Sequence, residues 1–392
     1  MKVYKITRGW ALFYYISALG AILVFSWALT LPFQNGDFSP NGTWILIPIS
    51  IFIITKTILG LPEIYKRHLI ISNDRIKSVS SSSTKELKIE EIKGYKITER
   101  SIVIEPNISH KQKIEISGDL GDYDEILAWC SRNLVDLYAQ SSSEEEKEIL
   151  NDKNIGFSRA DREEKLSNAK SISKSINFAA WILSFWCLFY PKPYQYSILF
   201  TMMVPIVALL VIKTSSGLIR VEEKKGTAYP SVAHALTMPS MALLLRAILD
   251  FDIFEYRNVL VYSLLITLVF LAILFFNQKE ISIKENKELF TFLGISASLF
   301  AYSFGSVIHY NCCYDESNSQ NYTAVVLDKE ISGDKTKMRY LELSAWGPQK
   351  ETKKVSVGKN LYNRTEIGNQ VTIKFRKGSL DIPWFEVSDK LE

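Results

Sequence analysis

The sequence predicts a mixed membrane protein: seven transmembrane helices, a cytoplasmic domain of strands and one helix, and a small extracytoplasmic β-barrel at the C-terminus. Two apolar runs stand near the start of the chain, and five more follow one another between residues 176 and 310. A helix needs roughly 20 mostly apolar residues to cross the hydrocarbon core. Alternating apolar and polar residues in 63–137 and 322–387 predict the strands of the two domains outside the bilayer, one on each side.

Residues 1–62 are predicted to form a pair of transmembrane helices. Lys2, Lys5 and Arg8 precede the first apolar run, residues 10–31, so the N-terminus should remain in the cytoplasm. The loop 32–43 has no Lys or Arg, which predicts a short turn on the outer side. The second run, 44–61, then returns the chain to the cytoplasm.

Residues 63–138 are predicted to form a soluble cytoplasmic domain. Three short stretches, at 87–92, 101–105 and 113–117, alternate apolar and polar residues as strands do. A fourth, 68–76, has the pattern of a strand that ends in a turn. A helix capped by Asp122 or Asp124 follows them, with Ile126, Trp129 and Cys130 on its apolar side. The pattern predicts a curled antiparallel sheet that is closed by one amphipathic helix, with Trp129 plugging the sheet.

The two spans and this strand series carry a resemblance. With the segments EIKGYKI, SIVIEP, KIEIS and DYDEILAWCSRNL, the region resembles the PH-like domains of bacterial multi-pass membrane proteins. The resemblance implies a PH-like fold for 63–138 but no phosphoinositide binding, because a fold does not fix a ligand. The whole chain also resembles an uncharacterised family of bacterial inner-membrane proteins, which implies a location in the cell inner membrane and no activity.

Residues 139–174 are predicted to be a charged helical connector. They are rich in Glu, Lys, Arg and Ser, and they show no broad apolar face. Ser158 and Asp161 have the spacing of a helix cap, so a helix should begin near residue 159 and lead into the next span.

Residues 175–310 are predicted to be a block of five transmembrane helices. The third run is the weakest, because it carries His234, Pro239 and Arg246. Connections 213–230 and 277–287 are rich in Lys and Arg, whereas 250–257 is mostly acidic, so the first two should be cytoplasmic and the third outside. The five runs are 176–190, 194–212, 231–249, 258–276 and 289–308.

Residues 311–392 are predicted to form an extracytoplasmic β-domain. Seven spans with a cytoplasmic N-terminus place this tail outside. Five short strand patterns separated by turn residues are typical of a small antiparallel barrel of the OB-like type. The five stretches are 322–328, 338–343, 354–357, 370–375 and 384–387.

Three ionisable residues in the third run of the block are the candidate functional polar residues. Arg246 and Asp250 lie four residues apart, so they can pair on one helix face, and His234 lies toward the other end. One interpretation is a polar transport path, because ionisable groups inside a bilayer are costly and mark pathways. The other is an ion pair at the outer headgroups, since Arg246 is only a few residues from the end of the run.

A stripe of small residues in the last run predicts close helix packing. Gly294, Ser298, Ala301 and Gly305 are spaced by four, three and four, which puts them along one helix face. The partner is either another helix of the block or a second copy of the chain. The adjacent pair Cys312-Cys313 follows this run, and a disulfide between neighbours would be strained.

The motif content favours a non-enzymatic function. The sequence has no phosphate-binding glycine loop, no zinc-protease motif and no nucleophile elbow, so no catalytic, cofactor-binding or metal residue is assigned. A net charge of +4 gives no basis for nucleic-acid binding. We expect a membrane scaffold or envelope sensor, embedded in the lipid bilayer, with protein partners or a second copy bound by the two β-domains. The alternative is a transporter or permease subunit with a polar path near the fifth span.

Overall fold

A computed structural model describes residues 1–31, 46–275, 286–332 and 337–389. The chain separates into two compact units. The N-terminal unit is Met1–Lys147 together with Lys225–Ala228, and the C-terminal unit is Glu148–Lys224 together with Tyr229–Glu392. The predicted outer turn at 32–43 and most of the predicted basic connection at 277–287 lie outside the described residues.

Two membrane-type helices open the N-terminal unit, α1 (Arg8–Ala28) and α2 (Leu46–Lys66). The Thr7 side chain accepts a hydrogen bond from the Trp10 backbone N–H and so caps α1. The two helices pack against each other, yet α1 buries none of its residues. Their other faces are apolar and exposed, as expected of helices whose surrounding solvent is lipid.

Seven strands and the helix that closes them form the β-domain in the described part of this unit. One antiparallel sheet has the order β1-β2-β3-β4 and a second has the order β5-β6-β7. The helix α3 (Tyr123–Asn133) packs its Ile126 and Cys130 into a core shared with both sheets. The strands are β1 (Lys2–Lys5), β2 (His68–Ile71), β3 (Arg75–Val79), β4 (Thr84–Lys88), β5 (Ile92–Ile97), β6 (Ser101–Pro106) and β7 (Ile114–Ser117).

Several features of this unit differ from the sequence-based expectation. The predicted strand 87–92 is broken, because residues 89–91 form a short 3-10 turn between the end of β4 and the start of β5. The N-terminal residues form strand β1, which pairs with β2 and buries Tyr4, whereas they were expected only to flank a membrane helix. Its two apolar residues, Val3 and Tyr4, are adjacent, so the sequence shows no alternation there. Trp129 is only partly buried at the edge of the core, while Ile126 and Cys130 fill its centre.

The C-terminal unit contains a bundle of five helices. Helix α4 (Leu137–Asn151) joins the two units in sequence, and the cap at Ser158 then starts the bundle, its hydroxyl accepting from the Asp161 backbone N–H at 3.1 Å. The predicted connector is therefore divided: its first part lies in α4, and its second part, from residue 159, forms one continuous helix, α5, with the predicted third span. The bundle comprises α5 (Arg159–Phe189), α6 (Tyr194–Thr214), α7 (Ala233–Asp250), α8 (Arg257–Phe275) and α9 (Asn286–Cys313).

Six helices of the described residues are long and apolar enough to cross a membrane. The remaining predicted span, α7, has 18 residues, as many as the span Arg257–Leu274, but it is less apolar because it includes the polar and charged positions His234, Arg246 and Asp250. The six are Arg8–Ala28, Leu46–Lys66, Arg159–Phe189, Tyr194–Thr214, Arg257–Leu274 and Leu289–Cys313.

Helix α7 nevertheless runs through the middle of the bundle. It packs against α5, α6 and α9, and it buries small side chains such as Ala235 and Ala242. At its start the Ala235 backbone N–H donates to Asn177 of α5, and at its end Asp250 meets Tyr194 at the start of α6. A helix of this length spans about 27 Å, close to the roughly 30 Å of a hydrocarbon core.

The C-terminal residues form a curled sheet, half of a barrel, rather than a closed one. The order is β11-β10-β9-β12-β13-β8, every pair is antiparallel, and β11 and β8 are the ends among the described strands. All five predicted strands are present, and Val326, Ile373 and Phe385 form part of their core. The strands are β8 (Asp252–Ile253), β9 (Gln320–Ser332), β10 (Met338–Leu343), β11 (Lys353–Ser356), β12 (Gln370–Arg376) and β13 (Trp384–Ser388).

The sixth strand, β8, was not predicted. It is two residues long, it belongs to the connection between α7 and α8, and it pairs with β13 through Trp384 and Phe385. Two residues cannot show a period, so the sequence carried no sign of it. The pairing puts the end of α7 and the C-terminal sheet at the same end of the bundle. A short helix, α10 (Lys359–Arg364), lies between β11 and β12.

Candidate functional site

The candidate site begins with an ion pair at the end of α7. Arg246 Nη1 lies 3.3 Å from Asp250 Oδ1, and the two side chains are only 17% and 23% exposed. The spacing of four residues puts both side chains on one helix face, as the sequence indicated. An ion pair with this little exposure keeps more of its strength than a surface pair, because it is less screened by solvent.

Tyr194 connects this pair to α6. Its hydroxyl donates to Asp250 Oδ2 at 2.7 Å, and the Arg246 guanidinium carbon lies 5.9 Å from the centroid of its ring. The Asp250 carboxylate is therefore held by a cation on its own helix and by a neutral donor on the next one. Tyr194 reaches it because α6 begins directly after Pro193, at the same end of the bundle.

His309 adds the third helix. The side chain is fully buried, with Nε2 3.1 Å from the Leu243 carbonyl oxygen and Nδ1 3.4 Å from the Tyr194 hydroxyl. A carbonyl oxygen only accepts, so Nε2 carries the hydrogen in this contact. We call Arg246, Asp250, Tyr194 and His309 the polar cluster; it joins α6, α7 and α9 at one end of the bundle.

A cleft of about 540 Å³ opens beside the polar cluster, between the end of α7 and the curled sheet. Asp250 belongs to the polar cluster and also lines this cleft. Three carboxylates and one amine face the cleft, and Phe251 and Phe385 supply aromatic walls. The charged lining residues are Asp250, Asp252, Lys374 and Glu386.

Burial favours the neutral form of one carboxyl group in the cleft wall, that of Asp252. Burial raises the pKa of Asp252 to about 6, and attraction to Lys353 opposes that shift only in part. Lys353 lies behind this wall, 4.8 Å from the centroid of the Phe385 ring, and its own burial lowers the pKa of its amine. A carboxyl group with such a pKa changes its charge near the acid side of neutrality.

The sheet is fixed to the bundle at this site. The Asn311 amide nitrogen donates to the Ile382 carbonyl at 2.9 Å, and its Oδ1 accepts from the Leu380 backbone N–H at 3.0 Å. Phe251 packs edge-on against both His309 and Trp384. The cleft wall and the polar cluster therefore belong to one continuously packed region.

The remaining predicted residues lie elsewhere. His234 is at the opposite end of α7, where its Nε2 lies 3.2 Å from Glu223 Oε2 and its ring lies against Trp181. Of the small-residue stripe, Ala301 and Gly305 are buried, Ser298 is partly buried and Gly294 is exposed. A β-carbon on Gly305 would lie 2.7 Å from the backbone of Leu243, so this glycine allows α9 to approach α7 closely. Cys312 and Cys313 are free thiols.

Sequence reasoning missed Tyr194 and His309 as members of the cluster. Tyr194 was interpreted as part of an aromatic belt, and His309 was considered only as a metal ligand. Both lie at span ends that the charge pattern assigns to the same side of the membrane. That shared level was the available signal that they could meet Asp250, although it does not determine which helices pack together.

Within the described residues, no group of three or more His, Cys, Asp or Glu side chains is arranged to hold a metal ion. Comparison with protein families, curated protein sequences and solved structures finds no match to this chain. The function is therefore argued from the geometry of the cluster and the cleft.

Proposed function

We propose that the protein is a non-enzymatic membrane scaffold of the sensor type, which binds partners through its two β-domains and reports occupancy of the cleft to the helix bundle. The observation that carries this proposal is the double position of Asp250. One carboxylate lines the cleft and also holds Arg246 and Tyr194. A bound molecule that draws on Asp250 would alter the contacts that join α6, α7 and α9.

The N-terminal unit supports binding rather than catalysis. Two antiparallel sheets of four and three strands, closed by α3, agree with the PH-like fold that the resemblance implies. We propose that this unit is a PH-like domain and that it serves as a cytoplasmic docking module. Its partner is a protein or a second copy of this chain.

We propose a seven-span topology in the inner membrane of a bacterium, with the N-terminus cytoplasmic and the C-terminus outside. Helix α7 counts as the fifth span in this scheme, because it extends from the Asn177 end of the bundle to the Tyr194 end. The basic residues Lys2, Lys5 and Arg8 before α1 favour a cytoplasmic N-terminus.

The distribution of polar groups favours a sensor over a transporter. Transport sites lie near the middle of the bilayer and draw polar groups from several helices. Here the ionised groups gather at one end of α7, and the hydroxyls of Ser240 and Thr237 bond back to carbonyls of α7 itself. The hydrogen of each hydroxyl is therefore already donated within α7 and is not available to a passing solute.

Cysteine accessibility along α7 separates the two functions. Single cysteines at positions 237, 240 and 246, in a chain without its four native cysteines, are treated with a membrane-impermeant thiol reagent from each side. The sensor predicts labelling at 246 from the outside alone. A labelled stripe that continues through 240 and 237, reachable from both sides, would contradict it and indicate a transport path.

Partner binding is tested by photo-crosslinking in cells. A photoreactive amino acid replaces Lys374 in the cleft or, as the matched control, Lys350, which is exposed and does not line the cleft. The proposal predicts a discrete adduct from position 374 that weakens in Asp250→Asn. Equal, diffuse adducts from both positions would contradict a binding role for the cleft.

A further inference from the structure

A groove of about 260 Å³ lies between α1 and α2, near the ends of both helices that join the β-domain. Tyr14 and Ala18 line it from α1 with a spacing of four residues. Gly60 and Ile64 do the same from α2, so one face of each helix forms a wall. The other lining residues are Ile6, Thr57, Leu61, Glu63 and Arg67.

The floor of the groove is apolar and is not filled by the protein. A β-carbon built on Gly60 meets no atom within 4 Å, so the space opens directly above this residue. The Thr57 hydroxyl donates to the Ile53 carbonyl at 2.8 Å, so a molecule in the groove need not accept a hydrogen bond from it. An unfilled apolar groove on a membrane helix forfeits packing contacts, which a lipid acyl chain would restore.

Arg67 stands at the mouth of the groove in a fixed position. Its Nη2 forms an ion pair with Asp119, a nearly buried carboxylate that also accepts from the Tyr14 hydroxyl at 3.0 Å. A guanidinium has five N–H donors, and this contact uses one side of it. In the described part of the chain, no other side chain accepts from the Arg67 guanidinium.

Further cations lie at the same ends of the two helices. Lys5, Arg8 and Lys66 are exposed, and none of them forms an ion pair with a described residue. The one acid of the lining, Glu63, is turned toward the β3–β4 turn, where it accepts from the Ser81 backbone N–H at 2.7 Å and from its hydroxyl. The mouth is therefore cationic above an apolar floor.

We infer that this groove binds one anionic phospholipid. An acyl chain lies along Ala18 and Gly60, and the phosphate rests on Arg67, with Lys66 and Arg8 around it. Basic pockets between membrane helices recognise anionic headgroups in this way. Basic residues at a cytoplasmic helix end are also expected from orientation alone, but orientation does not account for the apolar groove beneath them.

The first arm of the test fills the groove without changing charge. The full-length protein is purified from bilayers of phosphatidylglycerol and phosphatidylcholine in equal amounts, and retained lipid is counted by native mass spectrometry. The wild type should retain one phosphatidylglycerol. Gly60→Leu should reduce that retention about tenfold, and Ala18→Leu serves as a second filling variant.

Gly20→Leu is the matched control for this arm. Gly20 also has no atom within 4 Å of a built β-carbon, but it does not line the groove. This variant should retain phosphatidylglycerol like the wild type. If both filling variants fold, judged by gel filtration and thermal unfolding, and still retain the lipid, the groove site is refuted.

The second arm changes charge without filling the groove. Arg8→Gln with Lys66→Gln should weaken the preference for phosphatidylglycerol over phosphatidylcholine, with Arg67 left as the one cation on the phosphate. Lys93→Gln with Lys113→Gln removes the same charge from exposed positions away from the groove and should leave the preference intact. Equal loss from both pairs, or displacement of the lipid by inorganic phosphate, would show that the attraction is diffuse or does not involve a lipid, and would overturn the proposal.

Discussion

At the scale of single residues, Arg246 and Asp250 give the most informative contact. The sequence left open whether Arg246 lines a path or sits at the outer headgroups. The structure shows a partly buried pair that Tyr194 extends to a second helix. Its energetic weight should therefore exceed that of an exposed pair.

We predict that Arg246→Gln lowers the free energy of unfolding by about 1.5 to 3 kcal/mol, the range for hydrogen bonds to charged groups. Asp250→Asn should cost a similar amount, and the double variant should cost less than the sum, because either change removes the same interaction. Thermal or denaturant unfolding in detergent measures this cycle. Additive effects would show that the two side chains do not interact.

Asp252 makes a prediction about pH. Its folded-state pKa, about 6, is above the unfolded value near 3.9. The stability that it contributes is fully present below the unfolded pKa and is lost as pH rises through about 6. Asp252→Asn should therefore gain stability relative to the wild type as pH is raised from 5 to 7. Glu386→Gln, at an exposed carboxylate, is the control and should show no such trend; a flat difference for Asp252→Asn would contradict the buried carboxyl.

At the scale of elements, strands and helices were predicted best where a period is long enough to read. The five C-terminal strands and the cap at Ser158 follow from alternation and from side-chain chemistry. Strands β1 and β8 could not be predicted, because the two apolar residues of β1, Val3 and Tyr4, are adjacent rather than alternating with polar ones, and β8 has only two residues. Their positions are set by tertiary pairing with β2 and β13.

Strand β1 yields a prediction with an internal control. Tyr4 and Val3 are neighbours on opposite faces of the strand, 5% and 48% exposed. Tyr4→Ala should lower the free energy of unfolding by about 3 kcal/mol, as large-to-small core changes do, whereas Val3→Ala should cost well under 1 kcal/mol. The melting temperature of the N-terminal unit should fall in Tyr4→Ala and stay near that of the wild type in Val3→Ala. Equal melting temperatures for the two variants would show that β1 does not stabilise the core.

The small-residue stripe yields the corresponding prediction for the helices. Gly305→Ala should destabilise the bundle by about 1 to 3 kcal/mol, because the added methyl group collides with the backbone of α7. Gly294→Ala meets no atom within 4 Å and should be neutral or stabilising by up to about 1 kcal/mol. Detergent unfolding of the two variants compares them directly, and equal effects would contradict close packing at Gly305.

The candidate site shows the same division between local and tertiary information. The pairing of Arg246 with Asp250 follows from helix spacing and was predictable. The positions of Tyr194 and His309 depend on how α6 and α9 pack against α7, which no local pattern encodes. The cleft was beyond prediction for a related reason: β8, from the α7–α8 connection, completes the sheet that forms its wall.

At the scale of the whole molecule, the proposed topology depends on whether α7 crosses the membrane. The described residues contain six helices of full span length and apolarity, and α7 would be the seventh. If α7 crosses, the number of spans is odd and the two β-domains face opposite sides of the membrane. If it does not, the number is even, and the two domains share one side.

Topology reporters at both ends of the chain decide this point. A reporter active only in the cytoplasm and one active only outside it are fused in turn before Met1 and after Glu392 of the full-length protein. The account predicts cytoplasmic activity at the N-terminal fusion and external activity at the C-terminal one. Cytoplasmic activity at both ends would contradict the seven-span topology and, with it, the placement of the cleft outside the cytoplasm.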